Sequence, residues 1–298
     1  NYSFNVTTES ALYSGAAAST SVNLSVVRAV SINSFSISPL LVVNGSAVNV
    51  RANASNHDKL WANITLPDLS CHTVPLVSGV VSQFSITSLT GIYNITFYAN
   101  DTWSMVNLSD YFESYPQAVL NITVHDASED GVNSSITLYY RGQEIGSNSS
   151  ADGRCTLTAA NSSHYDAVVS AYGGGIEAVI YGVTAPMGTI QFGIDRHPTP
   201  AGFLATYGVS NGTPLSNATV RIYYGGLSYG NEDVLELHRC EDWNFTGRAC
   251  EGGWADITQD SAKDTLAHSF EYNSSSFSAF SCLLYTSPSP RDRTRSRM

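Results

Sequence analysis

From Gly91 the chain reads Gly-Ile-Tyr-Asn-Ile-Thr-Phe-Tyr-Ala-Asn-Asp, and within it Tyr93, Ile95, Phe97 and Ala99 alternate with Asn94, Thr96 and Tyr98. Successive side chains of a strand point to opposite faces, so a period of two fits a half-buried strand and does not fit an α-helix of period 3.6. The same alternation recurs at Leu120, Ile122 and Val124, and at Val48, Val50 and Ala52. Asn, Gly, Pro and Asp fill the intervals between such runs. The chain has only two lysines and is rich in Ser, Thr, Val and Tyr, which favours strands and turns over helices. The expected fold class is all-β, in tandem antiparallel β-sandwich modules. No apolar run approaches the roughly 20 residues of a membrane-spanning helix.

A second pattern rides on the first. Of 21 asparagines, 17 open an Asn-x-Ser/Thr triplet: Asn1, Asn5, Asn23, Asn44, Asn53, Asn63, Asn94, Asn100, Asn107, Asn121, Asn133, Asn148, Asn161, Asn211, Asn217, Asn244 and Asn273. Ser and Thr are 66 of the 298 residues, so chance would supply about five such triplets. Export and N-glycosylation account for the excess; the competing reading, that these residues crowd turns, does not demand the +2 spacing. Seven triplets have Val, Leu, Ile or Phe in the middle. On a strand that arrangement turns Asn and Ser/Thr to solvent and the apolar residue inward, and sugars there obstruct sheet-to-sheet aggregation. The expected location is extracellular, at a cell surface.

The formal net charge is −11, yet four arginines fall within residues 291–297. A polybasic tail can bind nucleic acid or an anionic membrane. Back-translated with one choice of codons, however, Cys282 to Asp292 spells the transposase adapter used in sequencing libraries. After a gap the length of a sample index, the adapter text resumes over Ser296 to Met298. Residues 282–298 are therefore expected to be an artefactual tail outside the fold, the alternative being a disordered basic tail. Removing four arginines from 14 basic side chains and one aspartate from 25 acidic ones leaves 10 against 24, which argues against a nucleic-acid partner. On this reading the chain is a piece of a longer gene, with any signal peptide or membrane anchor outside it.

Without Cys282 four cysteines remain: Cys71, Cys155, Cys240 and Cys250. Cys240 and Cys250 lie ten apart across a Gly-containing loop, the spacing of a disulfide hairpin in an oxidising compartment. Two buried thiols, or zinc held by His238, Cys240 and Cys250, are the alternatives. Along the chain, residues 1–35 read as the end of a preceding β domain, 36–125 as one sandwich, 126–196 as a second and 197–281 as a C-terminal β module. An internal echo supports the last two. Asn-Ser-Ser-Ile-Thr-Leu-Tyr-Tyr-Arg-Gly from Asn133 and Asn-Ala-Thr-Val-Arg-Ile-Tyr-Tyr-Gly-Gly from Asn217 lie 84 residues apart, a spacing that suits one sandwich per repeat.

At these residues the chain resembles tandem immunoglobulin-like (fibronectin-III-like) and carboxypeptidase-regulatory-like modules of sequon-dense surface proteins, especially archaeal ones. Trp61 to Pro67 and Gly91 to Asp101 carry the first likeness. The acidic turn before Ile-Thr-Leu-Tyr-Tyr-Arg-Gly, with Ala-Asp-Gly-Arg-Cys-Thr-Leu after it, is similar to the regulatory-like or collagen-adhesin B-type pattern. Asp242 to Trp254 and Asp264 to Ser281 look like a module found near the end of such proteins. The resemblance implies scaffolding, adhesion or a cell-envelope lattice, with no catalytic site and no cofactor.

Three motifs point to other functions. Gly226-Leu227-Ser228-Tyr229-Gly230 fits a nucleophile elbow, followed by Asp256 and His268 in hydrolase order, but the elbow needs a helix after it and residues 231–240 alternate as a strand does. Asp126, Glu129 and Asp130 offer hard oxygens for calcium at a junction, without the spacing of a calcium loop. Tyr98, Tyr139 and Tyr223 face outward and can line a carbohydrate or protein site. The expected function is a non-catalytic structural or adhesive stalk whose partners are other surface proteins or glycans. The second reading is a set of carbohydrate- or protein-binding accessory modules of a larger extracellular enzyme, and the third a serine hydrolase using Ser228.

Overall fold

The computed structural model describes residues 29–161, 165–183, 189–197, 202–211, 217–276 and 278–284. Within them the chain is strand and turn, broken by two three-residue 3-10 turns at Glu232–Val234 and Thr258–Asp260. No helix among the described residues is long and apolar enough to cross a membrane.

The first sandwich holds β1 (Ser31–Ser38), β2 (Leu41–Val43), β3 (Val48–Ser55), β4 (Lys59–Thr65), β5 (Cys71–Pro75), β6 (Ser82–Phe84), β7 (Gly91–Asn100) and β8 (Met105–Tyr115). A three-stranded sheet in the order β1-β3-β6 packs on a five-stranded sheet in the order β2-β8-β7-β4-β5. The core between them is the set of alternate residues that the period of two predicts: Val48, Val50 and Ala52; Leu60, Ala62 and Ile64; Tyr93, Ile95, Phe97 and Ala99. Each large apolar side chain buried there contributes about 1.5–3 kcal/mol. Tyr93 stacks on Phe112 with centroids 4.9 Å apart, and its hydroxyl donates to the Leu89 carbonyl, which satisfies the one polar atom it brings inside.

The second sandwich holds β9 (Gln117–His125), β10 (Ser134–Tyr140), β11 (Gln143–Ser150), β12 (Arg154–Ala160), β13 (Tyr165–Ala171), β14 (Ile176–Val183), β15 (Thr189–His197), β16 (Phe203–Asn211) and β17 (Ala218–Tyr223). It continues with β18 (Leu235–Cys240), the short hairpin strands β19 (Trp243–Asn244) and β20 (Ala249–Cys250), β21 (Ala255–Asp256), β22 (Ala262–Asp264), β23 (Ser269–Ser274) and β24 (Ala279–Leu284). Two seven-stranded sheets, β11-β10-β13-β14-β17-β23-β22 and β12-β9-β15-β16-β24-β18-β21, face each other across one core. Pairing is antiparallel throughout both sandwiches except at β2 with β8 and β9 with β15, which run parallel.

Several expected boundaries move. The division expected after residue 125 falls at Pro116, because β9 pairs with β12 and β15 of the second sandwich. No division falls at residue 196. Strands from both sides of it lie side by side, as in Ile176 opposite Ile222, and Ile136, Tyr165, Val220 and Phe270 share one core. The two echoing segments therefore form β10 and β17 of a single sheet, with β13 and β14 between them, rather than the openings of two modules. Residues 31–35, expected in a preceding domain, lie in β1 of the first sandwich; 1–28 lie outside the described residues. Cys282, expected outside the fold, is fully buried in β24, between β16 and β18. Residues 285–298 lie outside the described residues.

Candidate functional site

Three features of the fold bear on function: the joint between the sandwiches, the outer face of the five-stranded sheet, and a flap over the second sandwich.

The joint begins with a two-residue turn. Tyr140 and Gln143 pair across the β10–β11 hairpin, and Arg141 and Gly142 between them have φ of 49° and 77°. Positive φ at both positions gives the turn whose twist matches its strands, and glycine adopts it freely while arginine must be held there. From that turn Arg141 Nη2 donates to Asp110 Oδ1 at 3.0 Å and Nη1 to the Tyr111 carbonyl at 3.0 Å, with the guanidinium 4.3 Å over the Tyr111 ring. Gln143 reaches the same way: its Oε1 accepts from the Leu40 N–H at 3.0 Å and its Nε2 donates to the Ile37 carbonyl at 3.4 Å. Consecutive residues of β2 then serve opposite sides, Leu41 in the core of the second sandwich and Val42 in the core of the first. Glu113 is buried here, and burial first, then the Glu113 carboxylate, push the Tyr140 and Tyr115 hydroxyls above the ordinary phenol range. The only residue between β8 and β9 is Pro116, whose ring fixes φ.

The outer face of the five-stranded sheet is arranged in rows. Register places Pro75, Trp61, Tyr98 and Asn107 directly opposite one another across β5, β4, β7 and β8. Trp61 and Tyr98 stack with centroids 5.2 Å apart and planes 10° from parallel. Two residues along, Thr73, Asn63, Thr96 and Ser109 form a polar row, with Thr73 Oγ1 donating to Asn63 Oδ1 at 2.9 Å and the Thr96 and Ser109 hydroxyls 2.9 Å apart. An apolar ridge beside a hydroxyl row is what a pyranose, with C–H faces and a polar rim, can lie against. Tyr139 and Tyr223 are not part of this face: they sit on β10 and β17 of the other sandwich, with two strands between them. The sequence marks Trp61 only as part of a module likeness and Tyr98 as an outward candidate; the register supplies the link between them.

The flap is the segment between Cys240 and Cys250, which are joined by a disulfide. It lies on the outer face of the second sandwich at two glycines. A Cβ on Gly208 would come within 2.3 Å of Trp243 Nε1, and one on Gly193 within 2.6 Å of the Phe245 ring. Arg248 fixes its far end through two hydrogen bonds, at 2.8 and 2.9 Å, to the buried carboxylate of Asp195. Because both sulfurs are bonded to each other, neither cysteine is a zinc ligand for His238. That histidine instead meets Glu236, two residues away on the same face of β18, with Nε2 3.1 Å from Oε2, and Asp256, its registered partner on β21. One ligand atom from each lies within 4.8 Å of the others, close enough to share a divalent cation.

The remaining expected sites do not assemble. Ser228 is exposed in the loop after a turn, and a three-residue 3-10 turn follows where an elbow would need a helix. Asp256 is opposite His238, while His268 Nδ1 lies 3.2 Å from Glu232, so the two supposed partners of Ser228 are engaged elsewhere. Asp126 Oδ1 accepts from the backbone of Ser128 and Asp130, and its other oxygen is 3.6 Å from Arg248; Glu129 lies 3.8 Å from His125. Among the sequon asparagines, Asn94, Asn107, Asn121, Asn133, Asn148, Asn161, Asn217, Asn244 and Asn273 are exposed, and Asn44, Asn53, Asn63 and Asn100 are half-buried. Asn1, Asn5 and Asn23, and the side chain of Asn211, lie outside the described residues.

No family model matches the chain, and no curated protein matches it. Among solved structures it is similar to the ICAM-5 D1–D4 ectodomain fragment, at 8% identity over 85% of this chain and 69% of that one, with a TM-score of 0.19. It is also similar to the SGBP-B protein of a Bacteroides ovatus mixed-linkage glucan utilization locus, in complex with a mixed-linkage heptasaccharide. That likeness has 15% identity over 82% of this chain and 72% of that one, with a TM-score of 0.20. Likenesses this slight carry no argument, and the all-β sandwich architecture rests on the strands themselves.

Proposed function

We propose that this chain is a non-catalytic spacer and display segment of an exported, N-glycosylated cell-surface protein, in which two sandwiches are held at a fixed angle and present their outer faces to other surface proteins or glycans. The observation that carries this reading is the joint. A single proline connects the sandwiches, one strand feeds both cores, and Arg141 and Gln143 bridge the gap with four hydrogen bonds. Such a joint transmits position, whereas a flexible linker would not. The exposed or half-buried sequon amides support the glycoprotein part, since a transferase must reach them.

The test is small-angle scattering of the parent chain and of Arg141→Ala/Gln143→Ala. The parent should give one narrow shape and the variant a broader distribution with a larger maximum dimension. A parent that already scatters as two freely jointed bodies would overturn the proposal. The second reading, a carbohydrate-binding accessory segment of a larger extracellular enzyme, is favoured by one observation, the Pro75–Trp61–Tyr98 ridge beside a hydroxyl row. Glycan-array binding lost in Trp61→Ala would select it.

A further inference from the structure

The row Trp61–Tyr98–Asn107 has a property that its members lack singly. Neighbouring strands lie about 4.8 Å apart, which is close to the distance at which flat rings stack. Trp61 on β4 and Tyr98 on β7 use that coincidence, with centroids 5.2 Å apart and planes 10° from parallel. One face of Tyr98 is therefore covered by Trp61, and the other is turned towards β8. There, directly opposite Tyr98, stands Asn107, the first residue of the triplet Asn107-Leu108-Ser109. Directly opposed residues have Cβ atoms about 4.5–5.5 Å apart.

The other members of the triplet are disposed as an acceptor requires. Leu108 is paired with Phe97 and points away from the outer face, while Ser109 stands on that face beside Asn107, its hydroxyl next to Thr96. Asn107 is exposed. Its amide makes no hydrogen bond to any described residue, whereas Asn63 accepts from Thr73, Asn53 donates to Ser34 and Asn121 accepts from Thr156.

We infer that Asn107 carries an N-linked oligosaccharide whose first pyranose ring packs on the free face of Tyr98, forming the third layer of a stack with Tyr98 and Trp61. The inference rests on the exported-glycoprotein reading above. In the transfer, the bond between Asn107 Nδ2 and the sugar C1 forms as the C1–O bond to a lipid-diphosphate carrier breaks. The carrier leaves as the diphosphate, and the amide nitrogen gives up one proton. Once attached, the sugar is held one strand spacing from Tyr98, so its C–H face meets the electron-rich ring without the entropy cost of free association. The ridge is then covered by the chain's own glycan.

The experiment is a double-mutant cycle of Asn107→Gln and Tyr98→Ser, read by urea unfolding, on protein secreted by a glycosylating host and on protein made in a bacterial periplasm that adds no sugar. Peptide mapping establishes which asparagines are occupied. The expected result is sugar on Asn107 and a coupling of roughly two- to tenfold in the unfolding constant, present only in the secreted protein and absent when Tyr98→Phe, which keeps the ring, replaces Tyr98→Ser in the cycle. Sugar on Asn107 with no coupling, or with the same coupling in sugar-free protein, overturns the stack. Sugar on other triplets with Asn107 bare overturns the inference and leaves the glycoprotein reading standing. Secreted protein bare at every triplet overturns both.

Discussion

Replacing Leu41 and Val42 one at a time by alanine should weaken different halves of the molecule, although the two residues are neighbours on one three-residue strand. Leu41 is 3% exposed and packs in the second core; Val42 is 4% exposed and packs in the first. Deleting a buried leucine side chain to alanine costs about 2–5 kcal/mol, and removing two methyl groups from the valine costs about 2 kcal/mol with the cavity included. Every 1.4 kcal/mol is a factor of ten in an equilibrium constant. Leu41→Ala should therefore raise amide exchange through local opening about a hundredfold or more in peptides from β10, β12 and β13, and Val42→Ala about thirtyfold in peptides from β3, β4 and β7. Hydrogen–deuterium exchange with peptide resolution reads both at once. If both substitutions accelerate the same strands, or if Leu41→Ala acts on β7 and Val42→Ala on β13, the assignment of one strand to two cores is wrong.

A thiol reagent should titrate one cysteine in the native protein and three after denaturation. Cys71 is exposed, whereas Cys155 and Cys282 are buried, and burial pushes the Cys282 thiol up to about 12; rapid native reaction of a second thiol would count against β24 as drawn. Raising the pH should unfold the protein. Burial lifts the phenols of Tyr140, Tyr165 and Tyr224 well above their ordinary value and that of Tyr172 up to about 12. Groups with raised folded pKa give stability that is complete below about pH 10 and is lost as the pH climbs through the folded values. Phenolate absorbance should accordingly rise together with loss of sheet signal, and reversible ionisation of all tyrosines near pH 10 in a folded protein would contradict the burial. Cutting the Cys240–Cys250 bond in Cys240→Ser/Cys250→Ser should cost roughly 2–3 kcal/mol by the loop-entropy argument, measurable as a lower urea midpoint. In Gly208→Ala, the added methyl must displace Trp243 at a cost of about 1–3 kcal/mol, and unchanged tryptophan fluorescence would show that the ring does not lie there.

The strands were legible because the period of two is enforced residue by residue. Tyr93, Ile95, Phe97 and Ala99 are all buried, and Asn94 between them is exposed. The partition into modules was not, because strand pairing over long separations leaves no local trace. Nothing in Ile222 names Ile176 as its partner, so the 84-residue echo read as two domains when it is two strands of one sheet. Cys282 shows the same limit from the other direction. A back-translation of residues 282–292 led to the expectation of a tail outside the fold, while Phe280 and Cys282 are both buried in one strand, and only the packing displays the second fact. For the candidate site, the sequon at Asn107 and the outward Tyr98 were visible separately. Their juxtaposition with Trp61 depended on the register of three strands. Arg141 carried no signal at all, since its role comes from a left-handed turn aimed across a domain boundary.

The position of β24 has a consequence for how the molecule is made. All the described strands of the first sandwich are in hand once Tyr115 has been synthesised, its farthest partners being Leu41 and Glu113. The second cannot close its sheet until Ala279–Leu284 emerges to fill the slot between β16 and β18. On a ribosome the leading half can therefore settle early and act as a finished wall, while the trailing half waits with an open seam, a slow, long-range closure of the kind that leaves nascent chains in need of shelter.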